Sequence, residues 1–249
     1  MGAPIGGVDI DSVLHVEGHR VDERTFIAAA RQENSRASHL KDRVFPALSR
    51  VRHAAMTMFA GRGSNGFQMK LMILTYEFCR DIGRHDAAIR LFCDTAGLIS
   101  GAKAITQNGP GRAHWTGSPR LVLQNLETSL ATIGLVMTAE NEHTPPTLNA
   151  EHLPGLLGIP RPAIIAINPA GAALFTGLAA EFWTLVKDFP TPEPAGLGSQ
   201  IEEALIVSAQ ITRARIQTVA ERCELAANHI RNTLAREREN ATHIAAVGL

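Results

Sequence analysis

Apolar residues recur along most of this chain at three- and four-residue intervals, the spacing of one face of an α-helix. Before that pattern begins, Leu14, Val16 and Val21 flank a Glu17-Gly18 turn, which predicts an extended arm or small hairpin. A helix is expected near Asp22–Ala30, and a second over Leu40–Ala60, where Leu40, Val44, Leu48, Val51, Ala55 and Met58 share a face interrupted near Pro46. Gly61-Arg62-Gly63 marks its end. Phe67–Cys79 is apolar nearly all round and predicts a buried central helix. Asp86–Ile99 resumes the pattern after a break at Gly83.

Ser100–Gly117, rich in Gly, Asn and Pro, predicts a long loop. Ser118 as N-cap and Pro119 at the first helical position open a helix to about Ala139. Prolines at 145, 146, 154, 160, 162 and 169 forbid long helices over 141–170, and Ala163–Ile167 is the best candidate for a buried strand. Phe175–Val186 is helical again, 191–199 is a linker, and Ile201–Leu234 forms one amphipathic pattern through Leu205, Ser208, Ile216, Val219, Cys223 and Ile230.

These elements predict an all-α fold of two helical lobes with an extended N-terminal arm and a long C-terminal helix. The expected divisions are an arm over 1–22, a helical lobe with a basic face over 23–140, a proline-rich connection and helix over 141–198, and an amphipathic helix region over 199–249. The residues are 45% hydrophobic but only 5% aromatic, so the core should be aliphatic. No apolar run reaches the roughly 18–20 residues that span a bilayer, and the first residues lack the pattern of a signal peptide, so an intracellular protein is expected. Cys79, Cys93 and Cys223 sit in apolar helical patterns without C-x-x-C spacing and are expected as buried thiols.

A net charge of zero conceals a strong asymmetry. Residues 41–120 hold twelve basic and five acidic side chains, whereas 121–210 hold two basic and nine acidic. Arg and Lys interleaved with apolar helix faces could line a groove that neutralises phosphates, the main source of nucleic-acid affinity. The alternative is a set of solvated residues partly paired to Asp81, Asp86 and Asp94.

Gly61-Arg62-Gly63-Ser64-Asn65-Gly66 matches the dinucleotide fingerprint, but the segment before it reads as helix where that site needs a strand. A glycine-rich break presenting backbone N–H groups and Arg62 to a phosphate fits better. The histidines show no convergent metal-ligand spacing: His15 and His19 lie in the extended arm. There is no G-x-S-x-G and no evident nucleophile–base pair. No enzymatic activity and no cofactor are expected.

The segments MTMFAGRGSNG, SPRLVLQNLETSLATIG and EHLPGLLGIP, in this order within residues 45–190, give the chain a resemblance to the nucleocapsid proteins of the phlebovirus and tenuivirus type. The resemblance implies a helical, two-lobed viral protein of the virion or host cytoplasm, whose N-terminal arm links it to a neighbouring copy and whose basic residues hold single-stranded RNA by its backbone. It points to Arg62, Lys70, Arg112 and Arg120, to which the basic stretch adds Arg50 and Arg52. A filament coat protein would share these features. A nucleotide- or cofactor-binding enzyme using the Gly61–Gly66 turn and a helical scaffold without nucleic acid are the competing expectations. The sequence supports homo-oligomerisation through the arm and the C-terminal helix, and RNA as the partner.

Overall fold

The computed structural model describes residues 15–16, 19–20, 23–58, 62–108, 167–197 and 199–247. Those residues form an all-α fold. β1 (His15–Val16) and β2 (His19–Arg20) pair antiparallel, with His15 opposite Arg20 and Val16 opposite His19, which is the small hairpin expected of the arm. The helices are α1 (Glu23–His39), α2 (Phe45–Met58), α3 (Arg62–Asn108), α4 (Gly171–Asp188) and α5 (Ser199–Val247), with a π-helical turn over Leu40–Val44.

Four features differ from the sequence expectation. α1 runs past Ala30 to His39. The interruption near Pro46 is not a break but the π turn: the Phe45 N–H donates to Leu40 O, five residues back. Proline lacks the N–H that would continue the ladder, and its ring collides with the carbonyl four residues earlier, so the wider turn just before Pro46 absorbs the mismatch without ending the helical path. α3 passes unbroken through Gly83 and through residues 100–108, where a loop was expected. A glycine inside a helix costs only about 1 kcal/mol relative to alanine, and the buried stripe Leu71, Leu74, Phe78, Ala88, Phe92 and Ile99 carries the helix past it. Finally, Phe67–Cys79 is not buried all round, since Lys70, Tyr76 and Cys79 face out. The helix expected over 118–139 and most of the proline-rich segment lie outside the described residues; of the strand candidate, only Ile167 is described, as an isolated bridge.

The chain divides into two compact units. The first takes the described residues of Met1–Ser38, Asp81–His143 and Pro190–Ile211. Its core joins Phe26, Ala29 and Ala30 of α1 to Ala88, Phe92 and Ile99 of α3 and to Leu197 and Leu205. Phe26 and Phe92 meet with ring centroids 6.2 Å apart. Glu202 closes the approach to α5: its Oε1 accepts from the backbone N–H groups of Ala195, Gly196 and Leu197 at 3.0, 2.7 and 3.1 Å. Gly196, at φ +74°, supplies the left-handed residue this turn requires.

The second unit takes the described residues of His39–Arg80, Thr144–Phe189 and Thr212–Leu249. α2 packs along α4. On α2 the buried face is Ala47, Leu48, Val51, Ala54 and Ala55, and three alanines there let the larger Phe175, Leu178, Phe182 and Leu185 of α4 come close. Ile216, Val219, Cys223 and Ile230 of α5 are buried within the same unit, as the amphipathic pattern predicted.

Candidate functional site

α2 presents Arg50 and Arg52 two residues apart, and on a helix such positions point in different directions. Arg50 reaches α4 and forms an ion pair with Glu181. Arg43, in the π turn, likewise pairs with Asp188 at 2.9 Å. Arg52 points elsewhere. It lines a groove of about 430 Å³ between α2 and the first half of α3, walled by Leu48, Leu71, Met72 and Phe45. Arg52 is exposed and has no hydrogen bond or ion pair among the described residues.

Lys70 is exposed on α3 and equally without a partner among the described residues. Arg62 is the first residue of α3, and its side chain falls outside the described residues, as do Arg112 and Arg120. Thus, of the six basic positions expected to hold RNA, Arg50 is neutralised by Glu181, and Arg52 and Lys70 carry charge into solvent. The pairing of Arg50 joins residues 131 apart and leaves no local trace in the sequence.

The glycine-rich stretch does not follow a strand: α2 precedes it, and Gly63 and Gly66 lie inside the first turns of α3. The start of α3 is fastened to α2 by the Ser64 hydroxyl, which donates to Ala55 O at 3.2 Å and accepts from Gln68 Nε2 at 3.1 Å.

Sequence reading missed a buried group of ionisable side chains inside the first unit. Glu33, Arg36, Asp81 and His85 are each at most 1% exposed. One Glu33 oxygen pairs with Arg36 and the other meets His85 Nδ1 at 2.5 Å. Arg36 also donates to Pro190 O at 3.1 Å and to Gln32 Oε1 at 3.4 Å, while Asp81 pairs with Arg84. Burial pulls the Arg36 guanidinium below its ordinary pKa, and Glu33 works against that shift. Glu33, Arg36, Asp81 and His85 are enclosed, and through them and Gln32 the network joins α1 to α3 and to the 190–193 segment. The signal in the sequence was the i,i+3 spacing of Glu33/Arg36 and Asp81/Arg84, which is also the spacing of ordinary surface pairs.

The cysteine expectation is met only by Cys223; Cys79 and Cys93 are exposed. Burial, with a smaller contribution from Glu224, pushes the Cys223 thiol up to about 12. No group of three or more His, Cys, Asp or Glu side chains among the described residues could hold a metal ion, and no helix there is long and apolar enough to cross a membrane.

In the second unit His39 is buried against Phe189, ring centroids 5.5 Å apart. Burial lowers its pKa, Arg43 lowers it further, and a hydrogen bond to the Leu185 backbone and the charge of Asp188 oppose the shift. The ring is therefore held neutral in the fold, whereas the unfolded chain takes up a proton below about pH 6.5. The stability His39 contributes is fully present above that pH and is lost as pH falls toward the lowered folded value. His39→Gln should accordingly melt below the parent at pH 7.5, with the gap narrowing as pH falls below about 6.5; a gap independent of pH in thermal melts would contradict this.

No protein-family model, curated protein or solved structure matches this chain.

Proposed function

We propose that this protein is a helical, non-enzymatic protein that assembles with copies of itself and packages single-stranded RNA by its phosphate backbone, as a nucleocapsid or filament coat does. The observation that carries the proposal is the far end of α5. Its last buried residue is Ile230, yet the helix continues to Val247, and residues 235–246 are all exposed. Helical turns with no packed face are marginal in water, because helix stability in proteins comes mainly from packing. An assembly partner would supply that packing. Further up the same unit, Leu225 is 65% exposed, and Trp183 is exposed with its indole N–H on Glu224, giving a neighbouring apolar surface for a second copy.

The RNA part of the proposal rests on Arg52 and Lys70, which are exposed and have no partner among the described residues, so they can meet phosphates. A contact of this kind is insensitive to base sequence and weakens with salt, since binding releases counterions from the strand. Arg52→Glu combined with Lys70→Glu should reduce affinity for a fluorescent oligonucleotide by about tenfold and reduce the salt slope by about 1.4, the share of two contacts on a single strand. Neither side chain is packed, so the thermal melt should not move. Unchanged affinity with an unchanged melt would remove both residues from the proposed surface.

A further inference from the structure

The groove between α2 and α3 has a composition that RNA packaging does not explain. Its volume, about 430 Å³, lies in the range of roughly 300–1,000 Å³ typical of small-molecule sites. Its floor is Leu48 and Leu71, both buried, and Phe45 and Met72 are only half-buried beside them. No described lining residue is acidic. Among the described lining residues the one charge is Arg52, with the Ser49 hydroxyl one helical turn earlier on the same wall. Its neighbours Arg43 and Arg50 are matched to Asp188 and Glu181, while Arg52 has no counter-charge among the described residues and stands beside an apolar cavity. A guanidinium offers a planar fork that fits two oxygens of a carboxylate.

We propose that this groove binds an amphiphilic carboxylate, its apolar body between Leu48, Leu71 and Met72 and its anionic end on Arg52 and Ser49. Charge complementarity selects the head, and the apolar floor selects the tail. The site shares Arg52 with the proposed RNA surface but differs from it in needing the cavity as well as the charge.

The cysteines provide the assay. Cys79 is exposed and lines the groove, Cys93 is exposed and does not line it, and buried Cys223 reports unfolding. Alkylation of the whole chain by iodoacetamide would be followed residue by residue by mass spectrometry, with dodecanoate below micelle formation and dodecanol as the uncharged probe. Dodecanoate should slow Cys79 and leave Cys93 unchanged. Arg52→Ala should raise the half-protecting concentration about fivefold, the effect of losing one exposed ion pair with good geometry. Ser49→Trp, which fills the groove from an exposed position, should abolish the protection without moving the melt. An unchanged Cys79 rate at high dodecanoate overturns the site, as does retained protection in Ser49→Trp. Equal slowing of Cys79 and Cys93, or reaction of Cys223, marks general detergent action and also overturns it. Equal protection by dodecanol, indifferent to Arg52→Ala, overturns the carboxylate.

Discussion

Glu33→Ala should lower the unfolding free energy by about 3–5 kcal/mol, the cost of leaving a buried charge without its counter-charge. Both oxygens of Glu33 are in use, one by Arg36 and one by His85. Removing the carboxylate strands a guanidinium that is 1% exposed, and His85 loses the acceptor of its Nδ1–H. Arg36 cannot swing out to water without giving up Gln32 and Pro190 O, and the latter bond, together with Glu193 N–H donating to Gln32 Oε1, fixes the 190–193 segment on α1. The counter-experiment is to remove both charges. Glu33→Leu with Arg36→Met replaces the pair by apolar side chains of similar bulk, and such replacements are often neutral because the desolvation cost disappears with the attraction. The double variant should therefore recover part of the loss in urea titrations, the remainder being the unpaired His85 Nδ1–H and Pro190 O. A Glu33→Ala cost below about 1 kcal/mol would mean that the pair is not enclosed as described.

Gly171→Val should cost about 1–3 kcal/mol by overpacking, in a different unit and by a different mechanism. Gly171 opens α4, where an added Cβ would stand 2.9 Å from Met58 Cβ and 2.9 Å from Ile230 Cδ1. The Ile230 methyl is the end of a flexible side chain and can move. Met58 Cβ is fixed to the backbone, and that backbone is tied down: Asn168 N–H donates to Met58 O at 2.8 Å, and Gly171 N–H to Asn168 O at 2.9 Å. Ile230→Val should consequently relieve only part of the destabilisation. Full rescue by Ile230→Val, or a melt of Gly171→Val equal to the parent, would contradict the close approach.

How far the fold could be read from the sequence depended on which interactions held each element. α4 and the buried stripe of α5 were legible because Phe175 through Val186 and Leu205 through Ile230 hold their own periodicity, and burial follows it. The run of α1 past Ala30 was not legible, because it carries Glu33 and Arg36 on its buried side. They are buried only because His85 and residue 190 reach them from 52 and 154 positions away. The break expected at Gly83 reflected glycine's backbone entropy, which the apolar contacts of Phe78, Ala88 and Phe92 outweigh. The chemistry of the basic stretch was legible as composition but not as surface: Arg50 and Arg52 are equivalent in sequence, yet one finds Glu181 on α4 and the other faces a groove.

The most direct test of the account is light scattering, with absorbance at 260 and 280 nm, on the 249-residue chain purified at low salt beside a chain ending at residue 234. If self-assembly around RNA is its work, the longer chain elutes as a multimer with absorbance raised at 260 nm. The shorter chain, lacking the exposed turns of α5, then forms smaller particles while retaining its melt. A monomer with the absorbance of protein alone, at high concentration and with single-stranded RNA added, would contradict the account.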